Sequence, residues 1–322
     1  MKYTQLTEGE RYQIYALLGI NLTQKEIANR LGRHPSTISR ELRRNKGQRG
    51  YRPKQANELA TKRRKSALKQ IKLTETVQQW IRTLIKKDLS PQQVVSYLEK
   101  KRDVKLHHET VYQFIYRDKA NGGELYKHLR IANKPYRKRY GKYDRRGQIV
   151  DRVSIDERPK IVDDKSRIGD WEGDTIIGKG HKGALLTLVE RKTLYTLIVP
   201  LKSKNGEQLK DAVIEALKLF KNRVLTLTFD NGREFAHHQE MAKALEADVY
   251  FAHPYASWER GINENTNGLI RQYFPKGSDL REITLEQAQR VMDLLNNRPR
   301  KTRGGKTPNE LFLGLEVDLL AA

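Results

Sequence analysis

The sequence predicts a multidomain α+β protein, with an all-α N-terminal half followed by an α/β domain. Three observations predict it. The net charge of +24 is uneven: residues 1–150 hold 36 Lys+Arg against 13 Asp+Glu, and residues 151–322 hold 27 against 26. The basic half carries helical periodicity with paired cap signals. From about residue 165 the pattern changes to short apolar runs separated by turns and helices.

Composition narrows the classes. A chain of 322 residues is long enough for two or three domains. It has no cysteine, which excludes disulfides, zinc ribbons and thiol catalysis. No segment offers the ~20 apolar residues of a membrane span. The N-terminus is polar and lacks an apolar signal core. The expected location is the cytoplasm, in association with the nucleoid. A basic half joined to a near-neutral half points to a polyanion-binding module plus something else.

The elements follow in order. Thr7 with Glu8 and Glu10 opens a helix whose apolar face is Ile14, Leu17 and Leu18. Thr23, with Glu26 three residues on, opens a second helix to about Leu31. Pro35 or Ser36 opens a third, to about Arg44. Gly32 supplies the positive φ of a tight turn, and Ala28 lets the helices cross. Ile27, Leu31, Ile38 and Leu42 are the expected shared core. This is a helix-turn-helix pattern, placed at 1–50. Its third helix presents Arg33, His34, Ser36, Thr37, Ser39, Arg40, Arg43 and Arg44, which suit major-groove edges and flanking phosphates.

Residues 51–72 are basic and poor in large apolar side chains, and are expected to be a linker. The run Lys62–Lys65 suits either a phosphate-contacting linker or a solvated helix face. Over 73–133, Val77, Trp80, Ile81, Leu84 and Ile85 mark an amphipathic helix. Ser90-Pro91 caps another, and His108–Tyr116 forms a third. They predict a second helix-turn-helix-like DNA-binding domain, with Tyr112, Phe114, Ile115 and Tyr116 in its core. Residues 134–164 begin with seven cations between Lys134 and Arg146, interleaved with tyrosines 136, 140 and 143. They are expected to be a basic interdomain arm that orders on nucleic acid.

The last region, 165–322, predicts a meander of three strands (170–177, 184–190, 195–200). Helix, strand, helix and strand follow (206–220, 224–229, 234–245, 249–252), then helices near 257–272 and 284–297. That is the chain order of a ribonuclease-H-like domain, and equally of a generic α/β sheet. The acids bear on the choice. Asp174 lies in the first strand, Asp230 ends the fourth beside an Asn-Gly turn, and Glu264 follows after a helix, a strand and a loop. Hard oxygen ligands favour Mg²⁺, with Mn²⁺ as a substitute. Two such ions ~4 Å apart serve phosphoryl transfer. Asp170 and Glu172 share a strand face with Asp174, so spacing alone leaves the choice among them open. Glu234 and Glu259 suit surface acids or ion-pair partners.

Long blocks carry a resemblance. Gly169–Gly178, Thr228–Phe235 and Glu259–Gly277 resemble the three acid blocks of the transposases of the insertion sequence thirty family, a bacterial DDE group. Leu295–Lys301 with Lys306-Thr307-Pro308 looks like that family's C-terminal signature. Arg30–Leu42 is similar to its first DNA-binding helix pair. One difference is Phe229, where related sequences often carry Trp.

The resemblance implies a ribonuclease-H-like catalytic domain, catalytic and metal-ligating roles for Asp174, Asp230 and Glu264, and two Mg²⁺ ions. It also implies that Arg271 holds substrate DNA, with Lys276 as a further basic candidate. The partners implied are double-stranded DNA (terminal inverted repeats and target) and a second copy of the chain, in a dimer or larger assembly. Two other readings remain: a sequence-specific DNA-binding regulator with an inactive nuclease-like domain, and a nuclease that only hydrolyses.

Overall fold

The computed structural model describes residues 5–66, 73–130, 149–203, 205–254 and 256–321. The chain forms two compact units, Met1–Ile71 and Lys72–Ala322.

The first unit holds α1 (Glu8–Gly19), α2 (Gln24–Arg30), α3 (Pro35–Asn45) and α4 (Pro53–Ser66). Thr7 with Glu10, and Thr23 with Glu26, form the expected capping boxes. Gly32 adopts φ +60° between α2 and α3. Ile14, Ile27, Ala28 and Ile38 are fully buried, while Leu31 and Leu42 are half-buried against them. A buried ion pair, Arg11 to Glu41 at 2.8 Å, crosses this core, and the Tyr51 hydroxyl donates to the same carboxylate at 3.2 Å.

The expected linker at 51–72 is corrected over its described part. Residues 53–66 are helical, and α4 packs on α1 and α3. Its buried face is Pro53, Ala56 and Ala60. Small side chains suffice because α4 covers a core that is already closed by larger ones. Arg63 of the cationic run donates to Asn45 Oδ1 at 2.6 Å.

The second unit begins with a helical bundle: α5 (Glu75–Lys86), α6 (Pro91–Arg102) and α7 (His108–Ala120). Val77, Ile81, Leu84, Val94, Leu98, Val111, Phe114 and Ile115 form its core. Tyr116, expected there, is instead 52% exposed and stacks on the half-buried Tyr112. The chain's C-terminal segment closes this core: Leu319 is buried in it, and its amide donates to the Tyr97 hydroxyl at 2.7 Å. Of the expected interdomain arm, 134–148 lies outside the described residues, as do 131–133 before it. After it come α8 (Lys160–Asp164) and a bridge from Ser154 to the sheet edge.

The sheet has β1 (Asp170–Ile177), β2 (Ala184–Glu190), β3 (Thr196–Leu201), β4 (Thr226–Phe229) and β5 (Asp248–Phe251), in the order β3-β2-β1-β4-β5. The first three form the antiparallel meander, and β4 and β5 add in parallel. Both faces are covered. On one, α9 (Gly206–Lys218) and α10 (His238–Leu245) bury Leu209, Val213, Leu217 and Met241 against Trp171, Leu186 and Phe229. On the other, α11 (Gly261–Ile270) and α12 (Leu285–Asn296) bury Leu269, Ile270, Val291 and Leu295 against Ile176, Leu185 and Ile198. A short α13 (Pro308–Phe312) sends Phe312 into the first of these cores. This is a ribonuclease-H-like arrangement. It sets the middle of β1 and the end of the neighbouring parallel strand β4 beside the start of α11.

Candidate active site

Period-two geometry points Asp170, Glu172 and Asp174 to one face of β1. Each meets a different environment. Asp170 is fully buried and takes two bonds from Arg167, both at 3.0 Å, and one from Thr226. Glu172 is 1% exposed. Its Oε1 pairs with Arg191 at 2.7 Å, and its Oε2 accepts the Asn263 amide N–H at 3.1 Å. Asn263 is the third residue of α11, and that helix has no side-chain cap from its own N-cap residue, Arg260. Glu172 therefore caps α11 from the strand. Burial pushes its carboxyl up, against the pull of Arg191.

Asp174 is half-buried. Its Oδ1 accepts its neighbour's amide, Thr175 N–H, at 2.8 Å, and its Oδ2 accepts from Asn267 of α11 at 2.8 Å. Asn267 is itself held by the Thr187 hydroxyl of β2 at 3.0 Å. Asp230 follows β4, and its Oδ1 closes a turn by accepting the Gly232 amide at 3.0 Å. The two aspartates meet at Arg260, whose Nη1 lies 3.5 Å from Asp174 and whose Nη2 lies 3.5 Å from Asp230. Burial raises the Asp174 carboxyl, Arg260 opposes the rise, and Asp230 adds to it. Two carboxylates thus converge on one cationic group. Their hard oxygens suit a divalent cation at the same place.

Glu264 lies on α11 one turn after Arg260 and is exposed. Among the described residues, no three His, Cys, Asp or Glu side chains converge to form a metal site. In this arrangement the pair Asp174 and Asp230 is assembled, with a guanidinium between them.

Known proteins agree with the fold. Residues 2–45 match the model of a helix-turn-helix domain, and residues 164–257 match that of the integrase core domain. The chain is 45% identical to the transposase for insertion sequence element IS4351 of Bacteroides fragilis, over 95% of both chains. It is 36% identical to transposase InsI for element IS30A of Escherichia coli K12, over 95% of this chain and 83% of that one. The chain belongs to the insertion sequence thirty family of transposases. Among solved structures it is similar to the HTLV-2 integrase catalytic core domain in complex with magnesium. That likeness has 21% identity and a TM-score of 0.36, and covers 45% of this chain and 96% of that one.

The transposase's other expected contact residues are scattered. In the first unit, His34 caps α3 by accepting the Ser36 amide at 3.2 Å. Arg33 pairs with Glu10 at 2.8 Å. Ser36 and Thr37 are half-buried, while Ser39, Arg40, Arg43 and Arg44 are exposed. In the second unit, Lys276 is exposed, but Arg271 is half-buried and donates to the Ile177 and Pro275 carbonyls at 2.8 and 3.3 Å. Its described bonds tie α11 to the end of β1. Glu234, expected as a surface acid or an ion-pair partner, is 7% exposed and accepts from the Thr175 hydroxyl at 3.1 Å.

Four residues at the site were not singled out from sequence: Arg260, Asn263, Asn267 and Arg191. All but Arg191 lie in the long block around Glu264. A signal existed in the helical spacing, since Arg260, Glu264 and Asn267 recur at intervals of four and three.

Proposed function

We propose that this transposase cuts DNA at the ends of its insertion element and joins the freed ends to a target. Asp174, Asp230 and Glu264 are the catalytic acids in this reading. The observation that carries it is the meeting of Asp174 and Asp230, from two adjacent parallel strands, around a single cation. It is supported by the integrase core match and by relatives that are themselves transposases.

Each residue has a role that follows from its position. Asp174 and Asp230 supply oxygen ligands to Mg²⁺ or Mn²⁺, and Glu264 completes the set from α11. Two such ions, when bound, polarise the phosphodiester and sharpen the attacking oxygen. Asn267 fixes the Asp174 carboxylate by its 2.8 Å bond, leaving Oδ1 toward Arg260. Glu172 holds the start of α11 against β1 and so sets the distance that Glu264 must span. Arg260 balances the two aspartates at the place where a divalent cation would be held. The exposed arginines of α3 hold the terminal inverted repeat, and a dimer or larger assembly pairs two ends.

The test uses the full chain with Mg²⁺, a labelled duplex carrying the element's end, and a plasmid target, beside Glu264→Gln. Joined products from the wild type alone support the assignment. Cleavage without joining favours a hydrolytic nuclease. Binding with neither reaction favours a regulator whose catalytic domain is inactive.

A further inference from the structure

The segment Leu295–Lys301 resembles the family's C-terminal signature, and the chemistry above makes no use of it. Its last three residues, Pro299, Arg300 and Lys301, with Thr302, form one wall of a cleft of about 500 Å³. The facing wall is the helical bundle of the same unit: Ser90 capping α6, Gln93 and Ser96 on it, and His107 and His108 at the start of α7. Asn265, the residue after Glu264, also lines it. The walls are tied together. Gln93 donates to the Pro299 carbonyl at 3.1 Å, and the Tyr273 hydroxyl donates to Asp88 of the bundle at 3.0 Å.

The cleft is short of negative charge. Arg300 lines it and donates from Nη2 to the Leu295 carbonyl at 2.9 Å. Its Nε is buried without a hydrogen-bond partner among the described residues. Burial, with the further cations Arg298 and Arg130 acting in the same direction, brings its pKa down to about 10. Asp88 is already shared by Tyr273, His128 and Arg298. Lys301 adds an exposed cation at the rim, and Glu99 is the one acid among the lining residues. A sheltered guanidinium without a carboxylate calls for an anion, and the starts of two helices add positive ends to the same cleft. Arginine suits phosphate because its planar fork makes paired bonds.

We propose that this cleft binds the phosphodiester backbone of DNA beside the catalytic helix. The bundle and the C-terminal signature then form one clamp on the strand being cut. This rests on the transposase reading above.

Because the chain has no cysteine, single thiols can be introduced without background. Thr302→Cys lies in the cleft, and Ser39→Cys lies on α3. Lys218→Cys is exposed on α9, across the sheet from α11. Each full-length variant is mixed with an end duplex whose phosphates carry tethered mixed disulfides, so that the protein thiolate displaces the leaving thiol by exchange, and the resulting cross-links are mapped along the strand. Thr302→Cys is expected to cross-link a narrow set of phosphates near the cleavage position, several-fold above Lys218→Cys. If Ser39→Cys cross-links while Thr302→Cys only matches Lys218→Cys, the cleft is not a DNA site although the DNA reading stands. If none cross-links, the DNA reading fails and the proposal fails with it. Arg300 also braces the fold, so the affinity test uses the exposed Lys301→Glu. It is expected to lower the slope of log affinity against log salt by roughly 0.9 for each phosphate that is no longer neutralised. An unchanged slope overturns the assignment.

Discussion

Two ends of one strand differ in how their acids are balanced. At the start of β1, Asp170 and Glu172 are sealed from water and meet arginines at 3.0 and 2.7 Å. At its far half, Asp174 shares Arg260 with Asp230, at 3.5 Å from each. Charge-assisted hydrogen bonds run about 2.7–2.9 Å, so the first pairs are made and the last is loose. Buried carboxylates held at bonding distance serve the fold, because breaking such a pair strands a charge. Carboxylates that share one distant guanidinium are free to exchange it. The same residue type on the same strand face therefore does two jobs, and the arginine distances separate them.

The largest effects follow from that split. Asp174→Asn or Asp230→Asn should lower strand cleavage and joining by about 10³-fold, the loss of roughly 4 kcal/mol of transition-state stabilisation. Thermal midpoints and end-duplex binding should stay near wild type. Glu172→Ala should do the reverse in kind: it leaves Arg191 buried beside an empty place and costs about 3–5 kcal/mol of stability, measured by chemical denaturation. Glu172→Gln keeps an acceptor for the Asn263 amide and should fall between. If Asp174→Asn unfolds the protein while Glu172→Ala does not, the division along β1 is wrong.

Much of this architecture is legible in the sequence for definite reasons. Thr7, Thr23, Ser90 and Thr284 cap helices because their side chains accept amides that a helix start leaves unpaired. The apolar strands stand out because both faces of the sheet are covered. What stays hidden is pairing. Spacing puts three acids on one face of β1, but only tertiary partners separate Glu172 from Asp174. The α4 helix is hard to see because its buried face is made of Ala56 and Ala60, not large apolar residues. The resemblance marks Arg271 as a DNA-holding cation, and no local pattern reveals that the Ile177 carbonyl lies 2.8 Å from it.

A third prediction tests the looseness of the Arg260 contact. A unit charge ~4 Å from a carboxylate is worth about 4 kcal/mol in a surface-like dielectric. Arg260→Ala removes a cation that competes for both aspartates. Divalent cation binding, followed calorimetrically with Mn²⁺ in the absence of DNA, should tighten by at least about tenfold. Weaker or unchanged binding would show that the guanidinium supports the site instead of standing in its way.

The smallest effect concerns the loop that leads into Arg260. His253 accepts no bond in this loop if both its ring nitrogens are protonated: Nδ1 then donates to Glu259 at 2.8 Å and Nε2 to Asp156 at 2.9 Å. Two carboxylates facing one ring favour the imidazolium, and those bonds raise its pKa above the ordinary 6.5. The folded value lies above the unfolded one, so the contribution to stability is complete below pH 6.5 and is lost as pH rises through the folded value. The ring is open to solvent, so the loss is small. As pH rises from below 6.5 into the alkaline range, the wild-type melting temperature should drop more than that of His253→Gln. Parallel curves would mean that the loop is held by its backbone bonds alone, such as the His253 amide to Glu259 at 2.8 Å. The placement of Arg260 between the two aspartates would then owe nothing to protonation at His253.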